Sequence, residues 1–189
     1  MKAFVLTEGQ TDAQFFQLLL SRRVGTGFTV VPAGGKSATI SLAQSVLVTR
    51  GEPVALVIDA DSAFVEGVRE QETFYRDMLL SRSMDTPFLL LLAVPEMEYL
   101  FFESEETLAA VGIRPSDRQA IDAKYQPKQV LDQLLRKKNW TRTEFFSQLP
   151  ASAIDELANL PLLKKLIDFV KQPQGFRSWS NSAHQVLTD

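Results

Sequence analysis

Val54-Ala55-Leu56-Val57-Ile58 is apolar at every position and stops abruptly at Asp59-Ala60-Asp61-Ser62. A strand that is apolar on both faces is covered on both faces, and that is the habit of parallel sheets sandwiched between helices. The pattern repeats on either side of it. Residues 3–6 and 28–31 are short apolar or β-branched runs, and residues 87–95 read Pro-Phe-Leu-Leu-Leu-Leu-Ala-Val-Pro, predicting a strand over 88–94. Between these runs the sequence takes on helical character. Thr11 or Asp12 is placed to cap a helix running through Arg22, with Phe15, Phe16, Leu18, Leu19 and Leu20 on its apolar face. Further helices are expected near 38–48, over much of 64–81 and over 97–111. Strand and helix signals that alternate in this way predict an α/β fold with a parallel, Rossmann-like sheet of about four strands flanked by helices.

The character changes after Gly112-Ile113-Arg114-Pro115, where no further strand is evident. Residues 128–138 form an amphipathic pattern with Val130, Leu131, Leu134 and Leu135 on one face. Thr141 or Thr143 opens another helical stretch, and 152–171 reads as one or two more, broken near Pro161. The division expected is therefore 1–112 as an α/β domain and 113–189 as a helical extension packed on it, ending in a polar loop or arm over 172–189.

Composition narrows the function classes. The chain has 189 residues, 45% of them hydrophobic, which suffices for one well-buried core. No run approaches the roughly 18 apolar residues of a membrane span, and the N-terminus has no signal-peptide pattern. There is no cysteine, so disulfides and thiolate metal sites are excluded, and a cytoplasmic location is the default expectation. With one histidine, His184, a His-based metal cage is excluded too. The net charge is -3. Any nucleic-acid contact must then use local patches, such as Arg136-Lys137-Lys138, Arg142 and Lys164-Lys165. Solvated helix faces are the simpler account of the same basic residues, and the Phe15-Phe16, Phe101-Phe102 and Phe145-Phe146 pairs are expected in the core.

Ligand sites of parallel α/β sheets lie beyond the carboxyl ends of the strands. Here strand one ends at Glu8-Gly9 with Asp12 close behind, strand two at Gly34-Gly35-Lys36-Ser37, strand three at Asp59-Ala60-Asp61, and strand four at Glu96 and Glu98. Crowded carboxylates repel one another, and a hard dication relieves the repulsion. Mg²⁺ keeps several waters, so two or three carboxylates suffice to hold it. If the third strand persists, Asp59 and Asp61 point the same way and Ala60 leaves room between them. The glycine loop lacks the spacing of a nucleotide-hydrolase P-loop. Receiver domains of response regulators also cluster acids at strand ends, but their acid pair after strand one is missing here.

Glu8-Gly9 after the first strand and Asp59-Ala60-Asp61 after the third resemble the Toprim domain, shared by topoisomerases, bacterial primases, recombination-mediator proteins and nucleases of the overcoming-lysogenization-defect type. Glu8-Gly9-Gln10-Thr11-Asp12 is most similar to the nuclease branch, where a second acid follows the Glu by four residues, and Glu98 looks like that branch's acid after strand four. The resemblance covers residues 1–112. It implies a free-standing Toprim-like nuclease that hydrolyses phosphodiesters of nucleic acid with Mg²⁺ or Mn²⁺, in phage defence or DNA repair. A partner protein supplying an ATPase or targeting function is implied as well. On that template Glu8, Asp59 and Asp61 are the main metal ligands and catalytic residues. Asp12 and Glu98 complete a second metal site, Lys36 stabilises charge on the scissile phosphate, and Glu8 is an alternative general base. The alternative reading is a non-catalytic module that keeps the acidic pocket but binds nucleic acid or a partner protein.

Overall fold

The computed structural model describes residues 2–176, so His184 and Trp179 lie outside the described residues. Four strands, β1 (Ala3–Thr7), β2 (Phe28–Pro32), β3 (Val54–Asp59) and β4 (Phe88–Ala93), form one sheet in the order β2-β1-β3-β4. Every pairing is parallel, with Val5 opposite Val30 on one side and Ala55 on the other. Helices α1 (Gln10–Arg23), α2 (Lys36–Arg50) and α3 (Val65–Ser83) connect them. The chain steps from β1 to β2 in one direction, then passes back over β1 to β3 and on to β4. If every crossover keeps the same hand, α1 must lie on one face and α2 and α3 on the other.

The two faces bear this out. On one, Phe4, Leu6, Val54, Leu56 and Phe88 pack against Ile40, Ala43 and Leu47 of α2 and Leu79 of α3. On the other, Ala3, Val5, Ala55, Val57, Leu89 and Leu91 belong to one buried cluster with Phe15, Phe16, Leu19 and Leu20 of α1, which lies over β1 and β2. One helix cannot cover four strands. The rest of this face is filled from the second half of the chain: α4 (Glu105–Ala109), α5 (Asp117–Ala123), α6 (Pro127–Arg136), α7 (Arg142–Gln148), α8 (Ala151–Leu157) and α9 (Pro161–Lys171). Helix α9 lies on β3 and β4, and α7 lies beside α1. Leu131, Phe145, Leu163 and Phe169 belong to the same buried cluster as Val5 and Ala55. The core thus runs without interruption through residue 112.

Local departures from the expected elements have physical causes. Helix α1 starts at Gln10 with Gly9 as its N-cap; Asp12 is its third residue, and its carboxylate accepts a hydrogen bond from the Gly9 N–H at 3.2 Å. The helix expected over 97–111 is two pieces, a 3₁₀ helix at Met97–Phe101 and α4, because Ser104 between them is extended. Helix α5 was not anticipated, although Ser116-Asp117-Arg118-Gln119 is a capping box whose Ser116 hydroxyl accepts from the Gln119 N–H. The break near Pro161 is present, with Pro161 as the first residue of α9. No helix among the described residues is long and apolar enough to cross a membrane.

Candidate metal centre

Strands β1 and β3 are neighbours whose outgoing connections leave to opposite faces of the sheet. This is the topological switch point, where the connections diverge and leave a crevice at the carboxyl ends. Glu8 follows β1 directly and Asp59 is the last residue of β3. The two are in contact: the Asp59 N–H donates to Glu8 Oε1 at 2.9 Å. Asp59 Oδ1 in turn accepts from the Met97 N–H at 2.8 Å, so the 3₁₀ helix after β4 caps the same corner.

The loops are tied to the strand ends by main-chain bonds. The Gly34 and Gly35 N–H groups donate to the Glu8 carbonyl at 2.9 and 3.0 Å, and the Asp61 N–H donates to the Pro95 carbonyl at 2.8 Å. Gly34 and Gly35 have φ of 89° and 123°, where a side chain would strain the backbone, and a Cβ at either would meet no atom within 4 Å. The main chain at the start of α2 therefore borders open space.

Burial drives the Asp59 carboxyl up to about 7, and the charges of Glu98, Asp12 and Glu8 add to that push. Asp12 is also raised, first by burial and then by Glu98. Glu98 is only 2% exposed. One of its oxygens, Oε1, accepts from Arg142 Nη1, while the other, Oε2, is buried without a hydrogen-bond partner. An orphaned buried carboxylate oxygen carries a desolvation cost that a cation would remove.

Of the residues singled out in the sequence, the structure thus groups Glu8, Asp12, Asp59 and Glu98. Asp61 stands apart from them. Strand β3 ends at Asp59, and Asp61 turns into the left-handed region with φ 55°, so the two aspartates do not alternate along one strand. The Asp61 side chain is 65% exposed and pairs with Lys36 Nζ at 2.6 Å. Lys36 is therefore at the rim, bound to an acid. Glu96 accepts from the Lys128 main-chain N–H at 3.1 Å.

On sequence alone Arg142 belongs to the basic residues explained by solvated helix faces or by a nucleic-acid contact. In the structure it is 17% exposed and pairs with both Glu98 and Asp132, which hold it charged against the effect of burial. The capping-box spacing Thr141-Arg142-Thr143-Glu144 was a legible sign that Arg142 opens a helix, but not of what that helix end faces.

Among the described residues, no group of three or more His, Asp or Glu side chains is arranged to hold a metal ion. The four acids are electrostatic neighbours rather than a closed cage. Their all-oxygen donor set and the buried, unpartnered Glu98 Oε2 suit a hard cation that needs few protein ligands. In comparisons with protein-family models, curated proteins and solved structures, the chain matches none of them.

Proposed function

We propose that this protein is a Toprim-like, Mg²⁺- or Mn²⁺-dependent phosphoryl-transfer enzyme that cleaves phosphodiesters of nucleic acid. The observation that carries the reading is the corner at Asp59, where a buried carboxyl raised to about 7 meets Glu8 and feels the charges of Asp12 and of Glu98, one of whose oxygens has no partner. Glu8, Asp12, Asp59 and Glu98 would hold the ion. When bound, the ion polarises a phosphoryl oxygen and lowers the pKa of an attacking water. Glu8 is oriented by the Asp59 N–H on Oε1, which leaves its other oxygen for the ion or for the proton of the attacking water. Lys36 exchanges its Asp61 partner for a substrate phosphate and stabilises the charge there. The bare main chain at Gly34-Gly35 gives the phosphate a close approach. The reading carries with it a cytoplasmic location, a role in phage defence or DNA repair, and a partner protein for ATPase or targeting work.

The test is cleavage of single- and double-stranded DNA and RNA by the purified chain with Mg²⁺ or Mn²⁺. Cleavage is expected to vanish in EDTA and to fall at least about 100-fold in Asp59→Asn. Undiminished cleavage by that variant would overturn the reading.

One observation favours the non-catalytic alternative. Glu98 and Asp61 already have cationic partners in Arg142 and Lys36, so part of the acidity is neutralised within the chain. Calorimetric Mg²⁺ binding without turnover on any nucleic acid would decide for a binding module.

A further inference from the structure

Glu98 pushes up both the Asp12 and Asp59 carboxyls and is itself bound by Arg142. Its carboxylate shares Oε1 with Arg142 Nη1, and Arg142 Nε donates to Asp132 Oδ1 at 2.9 Å. Two bonds fix the plane of a guanidinium, whose donors have a rigid fork geometry. With Oε1 held, the swing of the carboxylate that carries Oε2 is restricted. Oε2 is buried and has no partner, yet Asp12 and Asp59 both feel the Glu98 charge. A pair that served only to anchor α7 would satisfy both oxygens, because an unpaired buried oxygen is costly. This pair satisfies one and leaves the other buried without a partner, while the Glu98 charge pushes up both the Asp12 and Asp59 carboxyls. Asp132 lies in α6 and Arg142 in α7, both outside the span that resembles Toprim.

We propose that Arg142, itself oriented by Asp132, is a positioning residue that holds Glu98 with Oε2 left unpaired for the divalent cation, so that α6 and α7 are part of the metal site. This inference rests on the metal reading above. It makes a prediction whose sign separates orientation from charge. Arg142 is a cation beside a cation site, so if charge were its only effect, removing it would tighten metal binding. If it orients a ligand, removing it weakens binding, typically by about 10–100-fold for a residue supporting a metal ligand.

The experiment is Mn²⁺ binding to the full chain, read as loss of the free-ion electron paramagnetic resonance signal. Circular dichroism in EDTA checks that each variant is folded. Arg142→Gln is expected to weaken Mn²⁺ binding about tenfold or more. Arg142→Lys keeps the charge but not the fork, and is expected to weaken it as well. Asp132→Asn leaves both Arg142 and Glu98 in place and is expected to weaken it severalfold; it carries the test with Arg142→Lys if Arg142→Gln does not fold. Wild-type binding with equal or tighter binding in the folded variants overturns the inference and leaves the metal reading intact. A folded wild type that takes up no Mn²⁺ at millimolar concentration overturns both.

Discussion

Asp59 concentrates the chemistry of the candidate site in one side chain. Its carboxyl titrates near 7 in the fold, against 3.8 for the ordinary group, because burial is reinforced by Glu98, Asp12 and Glu8. Between those values the folded chain holds a proton that the unfolded chain has lost. The stability contributed by this group is therefore fully present below about pH 4 and is lost as pH rises through about 7. Asparagine is neutral throughout and keeps an oxygen for the Met97 N–H. Asp59→Asn is thus expected to stabilise the metal-free protein at pH 8 by on the order of 2–4 kcal/mol, with no gain near pH 4. Urea denaturation in EDTA at the two pH values measures this, and an equal effect at both would show that Asp59 is not strained by its surroundings. Asp61 provides the contrast. Its carboxylate is at the rim with Lys36, so Asp61→Ala is expected to change Mg²⁺ affinity by less than about threefold, while Asp59→Ala removes measurable binding in the same calorimeter. Equal losses would restore the paired role that the Asp-x-Asp spacing suggests.

Short helices with well-made starts hold the walls of the crevice. In α7 the Thr141 hydroxyl accepts from the Glu144 N–H at 3.2 Å, and the Glu144 carboxylate accepts from the Thr141 N–H at 2.6 Å. That box fixes the first turn, on which Arg142 sits. Thr141→Ala is expected to cost about 1 kcal/mol in thermal or chemical denaturation, the usual loss for a helix cap. Phe145 and Phe146 hold the same helix against the opposite wall. Their rings lie 5.2 and 5.8 Å from Phe101 of the 3₁₀ helix, and Phe146 is 5.6 Å from Phe15 of α1. Edge and tilted contacts at these distances are favourable, so the elements carrying Asp12, Glu98 and Arg142 share one aromatic core.

For the whole molecule, the question is how far the α/β part stands alone. One face of the sheet is closed by α2 and α3, but the other is closed by α1 together with α4 to α9. A chain cut after Gly112 would expose Leu89, Leu91, Leu100 and Phe101, all buried in the full chain. Such a surface is a contiguous apolar patch of the kind that soluble monomers avoid. The 1–112 fragment is expected to lack a cooperative thermal transition and to aggregate; a dispersed amide spectrum from it would show instead that the α/β part folds alone.

The strands, their parallel pairing and the change of character near residue 112 were legible in the sequence. A strand buried on both faces must be apolar throughout, and a helix with one buried face must be periodic, so burial leaves a local pattern. The acids at the strand ends were legible for the same reason, because the apolar run stops where they begin. What the tertiary structure alone decided is which of them meet. A left-handed turn at Asp61, two residues past the end of β3, sends one carboxylate to the rim, and a helix that begins 44 residues after Glu98 brings Arg142 to its side. Contacts of that separation depend on how crossovers stack helices on a sheet face, and no window of sequence contains both partners.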